Sequence, residues 1–290
     1  MRLAIAIGVA ALPLMGQPRF EVVSVKPAPQ EPAGPTRGRG GPGTSDPGRI
    51  TEPYTSLLRL IHGAYSPGGA GDPLHSLDWD QISGPAWLST EHYAIDAKLP
   101  PETTREDLRL MWQALLAERF HLQVHFTTRD FTVYELVVAK YGPKLRKTGE
   151  VPDKPPPGFP VVPPGAHRAM GQAPPRTIRY SFRDYPISDF VQLLAWPLTE
   201  EGAQMYAGAF TVAKVLDKTG LDGRYDFTFE FAGYMHAGGA YPPPLPDGRV
   251  DTAPALFEAV QQQLGLRLER TRAKLNVLVV DHVDKVPTPN

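Results

Sequence analysis

Residues 107–139 read DLRLMWQALLAERFHLQVHFTTRDFTVYELVVA, and the same plan returns at residues 253–283 as APALFEAVQQQLGLRLERTRAKLNVLVVDHV. In both stretches, apolar residues first recur at the spacing of an amphipathic helix and then alternate with polar residues as in a strand. Thr103, followed three residues later by Glu106, is predicted to cap the first of these helices. The chain therefore contains one helix-and-strand plan twice.

Each copy is predicted to end in a hairpin. The first hairpin is expected to turn near residues 128–130, and the second near Arg272 and Ala273. Under this interpretation each copy closes on itself.

Outward from these stretches the plan extends to whole modules. A short strand, a helix and an alternating strand precede each copy. Before the first copy, the helix begins near Thr55 and the alternating strand is HYAIDAKL; before the second copy, the helix begins near Ser188 and the alternating strand is RYDFTFEF. The sequence predicts an α+β fold of two tandem βαββαββ modules, formed by internal duplication and spanning residues 20–149 and 177–286. FEVVSV, at residues 20–25, is expected to add a strand.

Three stretches rich in proline and glycine interrupt this pattern. Residues 150–176 are interpreted as an exposed linker between the modules, because such a composition continues neither a helix nor an interior strand. Residues 27–48 are interpreted as an insertion in the first module, and residues 233–254 as a loop in the second.

Composition restricts the class of protein. The 290 residues are 41% hydrophobic and carry a formal net charge of −1 at pH 7, with basic and acidic residues interspersed. This size and composition support sizeable cores, and the balanced charge argues against nucleic acid as a partner. The chain has no cysteine, so disulfides do not stabilise it.

The N-terminus has the pattern of an export signal. Arg2 precedes an apolar run from Leu3 to Met15, and Gly16 supplies a small residue where cleavage would occur. Residues 1–16 are therefore predicted to be a signal peptide, with an uncleaved N-terminal anchor as the alternative. The protein is expected to be periplasmic or extracellular, with no stable membrane span once the signal is removed.

Two resemblances bear on identity. Five stretches of the chain are similar to an uncharacterised family of exported acidobacterial proteins, the Solibacter-type domain of unknown function. They are FEVVSVKP, GPAWLSTEHYAIDAKLP, LLAERFHLQVHFTTRDFTVYELVVAKYGPKL, VLDKTGLDGRYDFTFEF and VLVVDHVDKVP. In some members this domain looks attached to BlaR-type membrane peptidases. In its order of elements, each half also resembles the short N-terminal module of secretins and TonB-dependent receptors.

One loop is the main candidate for ligand binding. HSLDWDQ, at residues 75–81, brings His75, Asp78, Trp79 and Asp80 together between glycine and proline residues. Such a loop suits a sugar stacked on Trp79 or a weakly held Ca²⁺, although it has fewer ligands than known calcium loops. A solvated loop without a ligand is the alternative, and it is favoured because short matches of this kind seldom mark real sites.

Other motifs offer less chemistry. His121 and His125 lie on the same face of a predicted strand and are weak metal candidates, since no third ligand is close in sequence. DKTG, at residues 217–220, looks like the phosphorylated motif of P-type ATPases but lacks that family's continuation, so a turn is the preferred interpretation. No catalytic residue and no cofactor is assigned.

Two functional hypotheses remain. The first is a non-enzymatic module that binds or senses an envelope protein through strand edges or helix faces. The second is a glycan- or peptide-binding protein or hydrolase, with its site near Trp79 or in a cleft between the modules. Whether the protein is an enzyme, and its oligomeric state, are left open.

Overall fold

The computed structural model describes residues 18–28, 30–34, 36–66, 77–149, 154–173, 177–195, 198, 205–206, 209–210, 213–232 and 254–289. The predicted signal peptide, His75 and most of the loop at residues 233–254 lie outside them. The fold is α+β, as predicted, and the chain forms two compact units. Unit 1 comprises residues 1–130, 204–211 and 274–290, and unit 2 comprises residues 131–203 and 212–273.

Among its described residues, unit 1 contains two α-helices and several short strands. Its elements are β1 (Val22–Pro27), β2 (Arg39–Gly40), β3 (Arg49–Ser56), α1 (Leu57–Tyr65), β4 (Ile82–Ser83), β5 (His92–Lys98), α2 (Arg105–Phe120), the start of β6 (Gln123–Val138), β10 (Met205–Tyr206), β11 (Ala209–Phe210) and the end of β14 (Leu266–His282). One sheet has the order β1-β5-β3-β2. The predicted added strand is thus β1, which pairs antiparallel with β5 and places Val25 opposite Ile95.

Unit 2 also contains helices and a four-stranded sheet. Its further elements are β7 (Arg146–Lys147), β8 (Arg168–Ala173), β9 (Thr177–Pro186), α3 (Ile187–Ala195), β12 (Val215–Asp217), β13 (Arg224–Ala232) and α4 (Leu256–Leu264). Its sheet has the order β7-β13-β9-β8. The series β3-α1-β4-β5-α2-β6 resembles β9-α3-β12-β13-α4-β14 in element types, except that β10 and β11 lie between α3 and β12.

Each unit buries its own core. In unit 1, Leu57 and Ile61 of α1 and Leu116 of α2 are buried in one apolar cluster, together with Tyr93 and Ile95 of β5. In unit 2, residues of α3, α4 and the strands form a second buried cluster, which includes the aromatic residues Tyr180, Phe182, Phe190, Phe229 and Phe231. The strand residues among them, such as Tyr93 and Ile95, alternate along the predicted strands, so their period matches the elements that form.

The predicted hairpins are wrong. β6 is one strand of 16 residues and β14 one strand of 17 residues, and each continues through the position where a turn was expected. A tight hairpin turn favours Gly, Asn or Asp at positions with positive φ. The segments at 127–130 and 271–274 lack glycine, and none of their residues has a positive φ. Their alternation therefore continues as a single strand.

The long strands explain why the units differ from the predicted modules. Tyr134 to Leu136 of β6 pair in parallel with β12 in unit 2, whereas Leu278 and Val279 of β14 pair in parallel with β4 in unit 1. Each half of the sequence thus contributes the end of its last strand to the unit formed mainly by the other half. The division of the sequence into two duplicated modules stays a prediction.

The proline-rich stretches also contribute strands. Residues 168–173, within the predicted linker, form β8, which pairs antiparallel with β9 along its whole length. Residues 39–40, within the predicted insertion, form β2 and pair with β3. Both segments are free of proline, so their backbone N–H groups are available for a ladder.

Candidate functional site

The predicted ligand loop is partly a packing element. Trp79 begins a short 3₁₀ turn and is half-buried against the core of unit 1. Its ring stacks on the imidazole of His62, with centroids 4.1 Å apart and planes inclined by 18°. One face of the indole is therefore covered, and this covered face is not available as a stacking platform for a sugar.

Hydrogen bonds hold His62 in this position. Its Nε2 donates to the carbonyl of Leu77 at 2.7 Å, and burial lowers the pKa of the imidazole below its ordinary value. Leu77 in turn donates its backbone N–H to Ser66 Oγ, 3.2 Å away. The neutral imidazole is thus favoured, because a protonated ring would be charged in a poorly hydrated place.

Asp78 and Gln81 have local structural roles. Asp78 caps the 3₁₀ turn, and its backbone N–H donates to Gln81 Oε1. Gln81, which is buried, also donates through Nε2 to the carbonyl of Asn276 at 2.6 Å. Asp78, Trp79 and Asp80 therefore lie in one turn, as the sequence predicted, but ligand binding there stays a prediction.

His121 and His125 each have an aspartate partner. His121 Nδ1 lies 2.7 Å from Asp284 Oδ2, and His125 Nδ1 lies 2.8 Å from Asp281 Oδ2. A third imidazole, that of His282, approaches Asp284 Oδ1 to 3.2 Å. These five side chains are exposed and form what we call the histidine–aspartate seam. Within the described residues, no group of His, Asp and Glu side chains has the arrangement of a metal site.

The seam attaches the C-terminal segment to the end of α2. The last carbonyls of a helix have no partner within the helix. The N–H of Asp284 donates to the carbonyl of Phe120, and the N–H of Thr288 donates to the carbonyl of Arg119, both at 2.8 Å. The hydrogen bond from His121 lowers the pKa of Asp284. The histidines thus act with these backbone contacts in holding residues 284–288.

Sequence reasoning missed the partners of this seam. Asp281 and Asp284 are 156 and 163 positions from their histidines, so local spacing could not connect them. The available signal was the polar ending of an otherwise apolar stretch, VLVVDHVD at residues 277–284.

The proline-rich segment packs on the sheet of unit 2. Arg179 of β9 donates to the carbonyl of Gly158 at 3.1 Å, and its guanidinium lies over the ring of Phe159. Arg179 also pairs with Glu230 of β13 at 2.8 Å. A Cβ built on Gly171 of β8 would contact the ring of Pro160 at 3.7 Å. Residues 158–160 are thus attached to the outer face of the sheet, rather than forming a free linker.

The DKTG motif is a turn. Asp217 Oδ1 accepts hydrogen bonds from the N–H and the hydroxyl of Thr219, at 2.8 Å and 2.7 Å. The Thr219 hydroxyl oxygen in turn accepts the N–H of Leu221. These bonds form an Asx turn, which is a common structural use of aspartate before glycine.

The outer edge of unit 2 is formed by β8. This strand ends its sheet, and Met170 lies opposite Tyr180 in the ladder, so both side chains are on the same face. Tyr180 is buried at 5% exposure, whereas Met170 is 45% exposed. The apolar face of the sheet therefore continues to a strand whose Met170 side chain is exposed.

The comparisons identify a family without a known activity. Within the described residues, none of the helices is long and apolar enough to cross a membrane. No curated protein and no solved structure matches the chain. Residues 74–283, which are most of the chain, match the family described as "Protein of unknown function (DUF3738)". The chain belongs to this family.

Proposed function

We propose that this protein is an exported, non-enzymatic binding module that accepts a strand of another envelope protein on the outer edge of β8. The observation that carries the proposal is the position of β8 at the end of its sheet, with Met170 exposed beside the buried Tyr180. In an antiparallel edge strand, every second residue directs its N–H and C=O away from the sheet. Such groups can pair with an incoming strand.

The exposed Met170, between the polar Arg168 and Gln172 on the same face, favours an apolar contact in such a complex. In the ladder between β8 and β9, Arg168 lies opposite Phe182, Met170 opposite Tyr180, and Gln172 opposite Ile178. The three β9 residues are buried on the core face of the sheet. A strand added beside β8 would place its alternate side chains next to Met170 and extend this face. Burial of the exposed thioether would add to the backbone pairing, because methionine adapts to partners of irregular shape.

The other parts of the proposal rest on sequence. Arg2 and the apolar run from Leu3 to Met15 support export, and an internal duplication would supply two related sheets for attachment. The likeness to secretin and TonB short modules supports a binding role at the envelope, with sensing as one form of it. The acidobacterial likeness is part of the same proposal.

Site-specific photocrosslinking in the native envelope tests the edge. A benzophenone amino acid replaces Met170, and a matched variant carries it at Phe257 of α4. The two side chains belong to the same unit and are 45% and 46% exposed. We expect a discrete adduct with one envelope protein from position 170 and none from position 257. The substitution Met170→Lys, which places a charge on the edge, should abolish co-purification of that protein, whereas Phe257→Lys should not.

Two results would contradict the proposal. Equal adducts from both positions would indicate non-specific collision, and the absence of any adduct from position 170 would exclude an occupant at this edge. Retention of labelled glycans that depends on Trp79 would favour the alternative of a glycan-binding protein.

A further inference from the structure

A tight turn follows β6 in unit 2. The N–H of Gly142 donates to the carbonyl of Ala139 at 2.9 Å, so Lys140 and Tyr141 occupy the two central positions of a β-turn. Tyr141 is 91% exposed, the highest value among the exposed large apolar and aromatic side chains of the described residues. Lys140 Nζ lies 5.8 Å from the centroid of its ring. An aromatic ring and a cation therefore lie together at the tip of the turn.

The C-terminal end of α4 fixes the position of this turn. The last carbonyls of a helix have no partner within the helix. Here the N–H of Ala139 donates to the carbonyl of Gly265 at 2.9 Å, and the N–H of Lys144 donates to the carbonyl of Leu264 at 2.8 Å. The ammonium of Lys144 also donates to the carbonyl of Gln262 at 2.6 Å. The turn is thus bound to the helix end on both of its sides, and its tip is held away from the core.

The segment that contains the turn is cationic. Residues 139–149 carry four basic side chains and no acidic one, and the four exposed cations are Lys140, Lys144, Arg146 and Lys147. Among the described residues, Lys140, Arg146 and Lys147 form no ion pair with a carboxylate. The next acidic residue along the chain is Glu150. We call residues 140–147 the cationic turn segment.

Two acidic residues of neighbouring elements oppose part of this charge. Asp226 of β13 lies opposite Arg146 in the ladder with β7, and its carboxylate accepts two backbone N–H groups. Glu258 lies one turn before Gln262 on α4 and accepts the side-chain amide of that residue. All of these residues belong to unit 2. Four cations against two carboxylates leave a net positive charge around Tyr141.

We propose that the cationic turn segment binds the surface of an anionic phospholipid bilayer, with Tyr141 at the level of the headgroups. A tyrosine ring has an apolar body and a polar tip, which suits a membrane–water interface, and basic residues beside it are attracted to anionic lipids. At most about 18 Å of extended chain separates Tyr141 from Arg146, so the cations fall within one area of contact. The tip of a turn has no walls that could enclose a small ligand, whereas it can contact a flat surface.

A single label at the tip of the turn tests this contact. The chain has no cysteine, so one introduced cysteine gives one labelling site. Tyr141→Cys and the matched control Val161→Cys, which is at a 68% exposed position of the same unit, carry an environment-sensitive fluorophore. Vesicles of phosphatidylcholine with phosphatidylglycerol should shift the emission at position 141 to the blue and leave position 161 unchanged. Vesicles of phosphatidylcholine alone should change neither. The apolar run at residues 3–15 is common to both variants, so it does not affect the comparison.

Sedimentation of the full chain with the same vesicles measures the contribution of the charges. Lys140→Gln combined with Lys147→Gln should weaken the binding that requires phosphatidylglycerol about tenfold or more, since each cation near an anionic bilayer contributes about a fivefold factor. Arg168→Gln combined with Arg272→Gln removes the same charge from exposed positions outside the cationic turn segment and should leave this binding nearly unchanged. Added salt should weaken the binding of the wild type.

Three results would overturn the proposal. They are no greater sedimentation of the wild type with phosphatidylglycerol vesicles than with phosphatidylcholine alone, equal responses of the labels at positions 141 and 161, and equal losses of affinity in the two double variants. Binding of dextran sulfate that depends on Lys140 and Lys147, without any binding to vesicles, would replace the membrane by a soluble polyanion. The segment is separate from the edge of β8, and strand addition there is not required for any of these outcomes.

Discussion

The Nδ1 atom of His121 lies 2.7 Å from Oδ2 of Asp284, although 163 positions separate the two residues. His121 is the C-terminal cap of α2 and has a left-handed backbone, with φ of 48°. Positive φ is uncommon for residues other than glycine, and histidine is one of the residue types enriched in this conformation. The contact therefore links a helix terminus that has unusual geometry to the last residues of the chain, which supply hydrogen-bond donors to that helix.

We expect Asp284→Asn to lower thermal stability in a pH-dependent way. Since the pKa of Asp284 is lowered in the folded state, its contribution is fully present above the ordinary value of 3.8. It is lost as the pH falls through the lower, folded-state value. Thermal unfolding of wild type and variant between pH 2 and pH 7 should therefore differ near neutrality and converge in acid. A difference that persists at the lowest pH would contradict this assignment.

Because β6 and β14 each extend into the unit formed mainly by the other half of the sequence, a core substitution in either strand is expected to destabilise that other unit. Leu136 and Leu278 are both fully buried, the first in the core of unit 2 and the second in the core of unit 1. Truncating either to alanine should cost about 2–5 kcal/mol. Hydrogen exchange should accelerate in α3 and β13 for Leu136→Ala, and in α1 and β5 for Leu278→Ala.

The two leucines serve as controls for each other. Self-contained modules with terminal hairpins would give the opposite pattern, because Leu136 belongs to the first half of the sequence and Leu278 to the second. Faster exchange in α1 and β5 after Leu136→Ala would overturn the strand pairing described here.

The stack of His62 on Trp79 predicts sensitivity to mild acid. Burial lowers the pKa of His62 below its ordinary value of 6.5, so the unfolded chain binds a proton more readily. The contribution of the neutral ring is complete above pH 6.5 and declines as the pH falls toward the folded-state value. We expect His62→Phe, which keeps an aromatic ring, to lose less stability than the wild type between pH 7.5 and pH 5.

The exposed His167 provides a control for this experiment. His167→Gln should leave most of the pH dependence of thermal unfolding in place. An unchanged dependence in His62→Phe would show that another group is responsible.

The attachment of residues 158–160 to the sheet predicts protection from proteolysis. Phe159→Ala removes the ring beneath the guanidinium of Arg179 and should release the segment. Subtilisin should then cut between residues 154 and 168 faster, as mapped by mass spectrometry. Val161→Ala is the matched control, because Val161 is 68% exposed and close in sequence. Equal rates in the wild type and Phe159→Ala would indicate that the segment is already free.

Local sequence patterns predicted the helices and most strands correctly. The positions of α1, α2 and α3 follow from helical spacing of apolar residues, and β5 and β13 follow from strict alternation. The predicted start of α2 differs from the observed one by one residue, because the helix is capped by Thr104 with Asp107 rather than by Thr103 with Glu106. Such features depend on neighbours within a few residues, and therefore the sequence alone determines them.

Long-range pairing was decided only in the tertiary structure. Alternation in β6 and β14 predicts strands, but it does not distinguish one strand of 16 residues from two strands and a turn. In the same way, a histidine pattern identifies His121 and His125 but not Asp284 and Asp281, which approach them across about 160 residues. The sequence by itself determined where the helices form and which faces of the helices and strands are apolar, because those properties are local. The tertiary structure decided which strands and side chains meet, because that depends on burying all the apolar faces together.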